Sequence, residues 1–397
     1  MKKRILENSP TRGEVLAKLF AVWQAPVRTE FVSTKDAIGR VLAADAVSLI
    51  DDPVVRASKM DGVAVKSEAF KAGIPDASAW ALGRDYVRAD TGDDFDDAFD
   101  AVIAVEEVEF LAGGGLRFLP DTEPVTSGTN VLGTGEKITR GLRLAPKGTR
   151  LLAADLTAIA MGAVSEIEVY RRPKAVFIPT GSELTPLGQI PARGQTVCSN
   201  TVLAEHLLAE MGAEPLIYPI VRDDPGALRD ALAQAAAEAD VILFSGGTSK
   251  GAEDYTHALL AERGELICHG IASAPGRPLA LALMDGKPVV NLAGPPIACF
   301  CGLDWCVRAI IDSFFELSPR KRHTVSARLA ESIGSPPNFE LYIRLSLEKT
   351  ADGYTARPLS HFGGSPADSM RAEGLYITKL IPEPTEAGDV IEVELMR

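Results

Sequence analysis

The sequence predicts a multidomain α/β protein: a three-layer α/β domain preceded by a split helical segment and a β domain, and followed by a second β domain. Three observations carry this. Residues 174–317 alternate short apolar runs with helix-period segments across short loops, the pattern of a parallel sheet with helices on both faces. Residues 51–141 and 321–397 hold short β-type runs separated by Gly, Asp and Pro. The 397 residues allow two to four domains at roughly 100–200 residues each.

Taken in order, Ser9-Pro10 offers a cap and a first-turn proline, and Leu16, Leu19, Phe20 and Trp23 recur on one face, predicting a helix over 9–24. Thr34 caps a second predicted helix, from Lys35 to Ala44, with Ile38, Val41 and Leu42 inward. From Asp51 the runs DGVAVKS, DYVRADTG, AVIAVEEVEFL and GLRFLP read as strands of a β module ending near Gly141. Helical period returns at 150–162, so residues 1–50 with 142–172 are expected to form one discontinuous helical domain around a β domain at 51–141. The α/β domain spans 173–320. It holds a strand at Lys174–Ile178, a helix ending at Gly212 as the left-handed stop, and a strand before Arg222. A helix follows over 225–238 with Pro225 in its first turn, then a strand at 240–245 and a helix from Glu253 to Glu262. Strands near 265–269, 278–283 and 288–292 and a helix reaching Leu317 complete it. The β domain at 321–397 closes the chain.

The composition is globular: 46% hydrophobic and 24% charged. Lys and Arg total 41 against 54 Asp and Glu, a formal charge of −13, which argues against nucleic acid and anionic membrane surfaces as partners. A local set of N–H groups and cations can still hold a small anion. The five cysteines are too few and too clustered for a disulfide framework. The basic start is not followed by an apolar stretch of signal-peptide length, and a soluble cytoplasmic protein is expected. The histidines show no HExxH pattern, so a zinc hydrolase is poorly supported.

In an open α/β sheet, ligands lie at the carboxyl ends of the strands. Three loops fall there: Thr180-Gly181-Ser182-Glu183, the run Ser245 to Gly251, and Ala293-Gly294-Pro295-Pro296. In the second, Gly246 and Gly247 let backbone N–H groups approach an anion, Ser249 and Lys250 add a hydroxyl and a charge, and Asp254 sits one turn on. A tight turn with a capping acid reads equally well there. Asp61, in Met60-Asp61-Gly62, reads first as a turn before a strand, and Glu106-Glu107 as a solvated strand end rather than a divalent-ion site. Asp93, Asp94, Asp96 and Asp97 read as an exposed loop, and Asp223-Asp224 as a helix N-terminal signal. Cys299, Cys301 and Cys306 lie in an apolar helical pattern and read as core, not as a metal site.

In order and spacing these motifs resemble one family. Met60-Asp61-Gly62-x-Ala64-Val65, Thr180-Gly181-x-Glu183-Leu184, Ser199-Asn200, Arg222-Asp223-Asp224 and Ser245-Gly246-Gly247-x-Ser249-x-Gly251-x-x-Asp254-Tyr255-Thr256 look like the molybdopterin molybdenumtransferases (MoeA and the gephyrin E domain) over essentially the whole chain. The resemblance implies an elongated homodimer with the cleft between one subunit's α/β domain and the other's β domain. It implies insertion of molybdate or tungstate into adenylylated molybdopterin, with Mg²⁺-dependent release of AMP. It implies that Glu183, Asp223, Asp254, Thr180, Gly181, Ser245, Gly246, Gly247, Ser249, Lys250, Arg277, Gly294 and Pro296 line the pterin-phosphate site. Asp61 and Thr91 would come from the other subunit, Asp61 and Asp223 would hold Mg²⁺, and Arg344 and Ser365 would serve a C-terminal oxyanion site. A molybdopterin adenylyltransferase upstream and an apo-molybdoenzyme as recipient are the implied partners.

The chain departs from the family pattern at several places. Lys-x-x-x-Lys-Pro-Gly-Lys-Pro reads Gly270-x-x-x-Ala274-Pro275-Gly276-Arg277-Pro278, and Leu-Pro-Gly-Asn-Pro reads Leu292-Ala293-Gly294-Pro295-Pro296. Lys137 and Cys198 stand where the family has acids. Each lost charge-assisted bond removes about 1.5–3 kcal/mol of oxyanion binding, and Lys137 and Lys250 are candidates to compensate. Three functions follow in order: an active insertase, a catalytically degenerate relative that binds and delivers molybdopterin or finished cofactor, and a molybdopterin adenylyltransferase.

Overall fold

The computed structural model describes residues 9–246, 259–260, 262, 264–318, 321–334, 339–351, 353–359, 365–378, 380 and 383–396. The chain forms two compact units, one of residues 1–28 with 170–397 and one of 29–169.

The larger unit opens with helix α1 (Arg12–Val22). Its cap is Thr11 rather than Ser9: the Thr11 hydroxyl accepts from the Glu14 N–H at 3.2 Å, and the Glu14 carboxylate accepts from the Thr11 N–H at 2.8 Å. This reciprocal box satisfies two helix-end donors, which Ser9 two residues earlier does not. Val15 and Leu19 are buried with Trp23, while Phe20 is 39% exposed, so the buried stripe is shifted from the predicted one.

Six strands build the central sheet: β1 (Lys174–Pro179), β2 (Glu214–Ile217), β3 (Val241–Ser245), β4 (Glu265–His269), β5 (Ala280–Met284) and β6 (Lys287–Leu292). Their order across the sheet is β2-β1-β3-β6-β5-β4. The first three pairings are parallel and the last two antiparallel, so the sheet is mixed, not wholly parallel as expected. The cause is Asp285-Gly286, with φ of 51° and 73°. Two successive left-handed residues make a tight hairpin turn, which reverses the chain into β6.

Helix α2 (Asn200–Met211) stops at Gly212, whose φ of 95° releases the chain. Helix α3 (Pro225–Glu238) starts under Asp224, which accepts from the Ala227 N–H at 2.8 Å. Leu228, Leu232 and Ala235 of α3 pack with Val176, Ile178, Ile242 and Val289 on one face of the sheet. Helices α4 (Pro296–Gly302) and α5 (Arg308–Ser313) are joined by a π-helical turn at Leu303–Val307, where one continuous helix was expected. The segment contacts α2, and the two cover the other face. All five cysteines are free and buried; for Cys299, Cys301 and Cys306 the helical pattern implied this.

The C-terminal part is a closed barrel. Strands Thr324–Leu329, Glu340–Thr350, Gly353–Pro358, Gly374–Ile377 and Val390–Leu395 pair round to their start, because Glu340–Thr350 bonds both Gly353–Pro358 and Gly374–Ile377. Closure removes the sheet edges, and Leu329, Leu345, Ala356 and Val393 fill the interior.

The smaller unit has separate cores. Strand Gly62–Val65 is central to a three-stranded sheet between Tyr86–Ala89 and Ala101–Ala104, close to the predicted runs. A Cβ on Gly62 would lie 1.9 Å from the Ile103 carbonyl, which explains the glycine. Residues 29–50 and 142–169 share another core, with Leu42, Leu151, Ile159 and Val169 buried around the helix Ala153–Met161. The predicted helix from Lys35 to Ala44 is not there. A single 3-10 turn at Thr34–Asp36 ends before Gly39, whose φ is 72°. Val41 and Leu42 then bridge to Arg150 and Val169, so tertiary pairing overrides the local helical pattern.

Candidate functional site

The strand order places a switch point between β1 and β3, because the chain leaves β1 for β2 on one side and returns to β3 on the other. Such a crevice at the carboxyl ends of the strands is where open α/β sheets bind ligands. A cavity of about 350 Å³ lies there, lined by Thr180, Glu183, Asp223, Ser245, Gly246, Gly294 and Pro296 among others. These seven residues, from four separate loops, converge on it.

The loops are locked by short-range chemistry. The Thr180 N–H donates to the Ser245 carbonyl at 2.9 Å, and the Gly181 N–H to the Val221 carbonyl at 3.1 Å. Gly246, with φ 130°, packs so closely that a Cβ would lie 1.9 Å from the Thr180 carbonyl oxygen. Gly181, φ 148°, likewise leaves room for the Glu183 carboxylate, whose oxygens would be 2.7 and 2.8 Å from a Cβ. Asp223 accepts from the Ser182 N–H at 3.0 Å, and its own N–H donates to the Ser182 hydroxyl at 3.2 Å. The two adjacent acids thus divide their work: Asp224 caps α3 and Asp223 lines the cavity.

Asn200, which the sequence reading quoted in a motif but did not place in the site, fastens two of these loops. Its amide donates to Ser245 Oγ at 2.9 Å and to the Gly294 carbonyl at 2.8 Å. The signal available was a polar residue in the first turn of a helix beside a Gly-rich strand end. Cys198 also lines the cavity, and burial pushes its thiol above the ordinary value. Ala293 is buried beside Gly294.

Gly247, Ser249, Lys250 and Asp254 lie outside the described residues. Arg277, Arg344 and Ser365 are described but do not line this cavity. Gly270, Ala274 and Arg277 belong to the connection between β4 and β5, where the Ile271 N–H donates to the Arg277 carbonyl at 2.9 Å. Arg344 is 2% exposed, with its guanidinium 4.2 Å above the Phe300 ring and 3.4 Å from the Met370 sulfur. Its Nε has no hydrogen-bond partner among the described residues, and burial holds the group below its ordinary pKa. Ser365 is the exposed residue that begins the short helix Pro366–Met370.

In the smaller unit, Asp61 and Thr91 are neighbours. Asp61 accepts from the Thr91 N–H at 2.7 Å and the Thr91 hydroxyl at 2.8 Å, and these bonds hold its carboxyl below the ordinary range. Lys137 is exposed in the same unit. No cluster of three or more His, Cys, Asp or Glu side chains able to hold a metal occurs among the described residues. No helix among them is long and apolar enough to cross a membrane.

The mixed sheet, its switch-point cavity and the carboxylates on its loops define a ligand-binding α/β protein with an accessory β unit and a C-terminal barrel. Comparison with known proteins identifies the class. Residues 11–162 match the MoeA N-terminal region (domain I and II), and residues 176–313 match the probable molybdopterin binding domain. A molybdopterin molybdenumtransferase of Haemophilus influenzae is 27% identical over 351 residues, covering 85% of this chain and 83% of that protein. One of Bacillus subtilis is 26% identical over 397 residues, covering 94% and 91%. The crystal structure of the molybdopterin biosynthesis MoeA protein of Pyrococcus horikoshii superposes with a TM-score of 0.81 at 26% identity, covering 98% of this chain and all of that one. The chain belongs to the MoeA family of molybdopterin molybdenumtransferases.

Proposed function

We propose that the chain is a molybdopterin molybdenumtransferase that inserts the metal during molybdenum cofactor biosynthesis. The carrying observation is the convergence of Thr180, Glu183, Asp223, Ser245, Gly246 and Gly294 on one cavity at the switch point. The substrate is adenylylated molybdopterin, the second substrate molybdate or tungstate, and AMP leaves.

Each part of the reaction asks something different of the site. Backbone N–H groups beside Gly246 suit a phosphate, since they donate without side-chain reorganisation. Glu183 and Asp223 present oxygen donors, the chemistry that suits Mg²⁺, which takes few protein ligands and completes its shell with phosphate oxygens and water. When bound there, Mg²⁺ would neutralise charge on the phosphates. Asp61, ionised because Thr91 bonds its charged form, supplies a further carboxylate from a second copy of the chain in a homodimer. Arg344 is a buried cation with no carboxylate bonded to it among the described residues. Such a charge is costly to bury alone, which favours an oxyanion near it. A molybdopterin adenylyltransferase would supply the substrate, and an apo-molybdoenzyme would take the product.

One observation favours the degenerate, delivering relative instead: the described lining of the cavity holds Glu183 and Asp223 but no Lys or Arg. The test is turnover. The purified protein is given adenylylated molybdopterin, Mg²⁺ and molybdate, and AMP is measured. Release above background supports the insertase. Tight substrate binding with background AMP supports the delivering relative, and absence of binding overturns both.

A further inference from the structure

At the opposite end of β1 and β6 from the cavity lies a second, polar cleft of about 290 Å³. Its lining carries five cations, Arg28, Arg171, Arg172, Lys174 and Lys287, against two acids, Glu238 and Asp240. This is a concentration of positive charge in a chain whose formal charge is −13. The acids are already engaged. Asp240 accepts from Arg28 Nη1 at 3.2 Å and from the Lys174 N–H at 2.9 Å, and Glu238 accepts from the Tyr218 hydroxyl. Lys287 donates to the Ala236 carbonyl at 2.6 Å, which caps the end of α3 and leaves two of its donors unused. Among the described residues, the guanidiniums of Arg171 and Arg172 have no hydrogen-bond or ion-pair partner. The two arginines are held in place by backbone: the Arg171 N–H donates to the Arg28 carbonyl at 2.8 Å, and Pro173 follows.

We propose that this cleft is an oxyanion site, distinct from the switch-point cavity, that takes a tetrahedral dianion or the phosphate of an ester. Guanidinium forks match two oxygens of such a group at once, and a lysine ammonium adds a point charge. The size decides between a small ion and an acidic protein segment. The cleft is at the lower limit of small-ligand pockets, roughly 300–1,000 Å³, so it fits one phosphate-sized group rather than a length of chain. Its place also matters: the chain leaves the larger unit after Arg28 and returns at Tyr170, so an anion here would sit on both crossing strands of backbone.

The experiment is titration calorimetry on the full chain with orthophosphate, tungstate and AMP, comparing wild type with Arg171→Ala/Arg172→Ala and Arg171→Lys/Arg172→Lys. Both arginines are exposed, and matched unfolding curves check that the variants fold. The expected result is a binding event that weakens at least ~10-fold in the alanine pair, while any event at the switch-point cavity is the same in wild type and variants. The first event should recover in part in the lysine pair and weaken as salt rises. A shift for orthophosphate and tungstate alone identifies a free dianion, and a shift for AMP alone identifies a phosphate ester. Isotherms for all three probes that are identical in wild type and the alanine pair overturn the proposal.

Discussion

Gly246→Ala tests whether the switch-point loops are held by close backbone approach. A Cβ at 246 would meet the Thr180 carbonyl oxygen at 1.9 Å and its Oγ1 at 2.7 Å, with φ at 130°. Gly188→Ala is the control, since its φ is 88° and nothing lies within 4 Å of a Cβ there. Both pay the positive-φ cost of about 1–2 kcal/mol. Only Gly246→Ala must also displace backbone, and overpacking of that kind costs about 1–3 kcal/mol more. Urea unfolding followed by circular dichroism should therefore separate the two variants by that extra amount. AMP release should fall in Gly246→Ala and stay at the wild-type level in Gly188→Ala. Equal destabilisation of the two, or unchanged AMP release in Gly246→Ala, would refute the packing argument.

Asp223→Asn and Glu183→Gln should each weaken apparent Mg²⁺ affinity on the order of 10- to 100-fold, read as the Mg²⁺ dependence of AMP release, with unfolding curves close to wild type. Equimolar mixing of unfolded Asp61→Ala and Asp223→Ala, followed by joint refolding, should restore about a quarter of wild-type activity, since random pairing gives hybrids with one intact site. No recovery would argue against a site shared between copies. Arg322→Ala removes the closest cation from Asp304, whose side chain is 2% exposed. Burial opposes ionisation of Asp304, yet the pairing with Arg322 and the Tyr342 bond outweigh it and keep its pKa below the ordinary value. Its stabilising effect is therefore complete above the usual carboxylate range and lost as pH falls through the depressed value. The variant should lose about 2–4 kcal/mol at neutral pH, and less once pH falls below the usual carboxylate range, where Asp304 takes up a proton. A loss that does not change with pH contradicts this.

Elements governed by local chemistry were legible in the sequence. Asp224 with Pro225 fixed the start of one helix, and Gly212 after Met211 the end of another, because caps act over three or four residues. Elements governed by distant partners were not. Val41 and Leu42 carry a helical pattern, but Arg150 and Val169 supply strand partners more than a hundred residues away. The Asp285-Gly286 hairpin was legible in principle, since two turn residues between apolar runs are the signature of a reversal. The alternation of strands and helices over 174–262 favours a parallel reading and masks that signal.

The site shows the same division more sharply. Glu183, packed against Gly181 of its own loop, lines the cavity to which its motif points. Asn200 was missed as a site residue because its value comes from reaching two other loops, Ser245 and Gly294, which no spacing rule along the chain reveals. Arg344 illustrates the reverse. Its motif implied a group offered to a substrate, yet it lies buried over Phe300 and between methionine sulfurs. A guanidinium so placed binds an oxyanion only if the Phe300–Met370 packing opens. Oxyanion affinity that rises in Phe300→Ala, and falls in Arg344→Met, would show that this packing competes with the anion for the same cation.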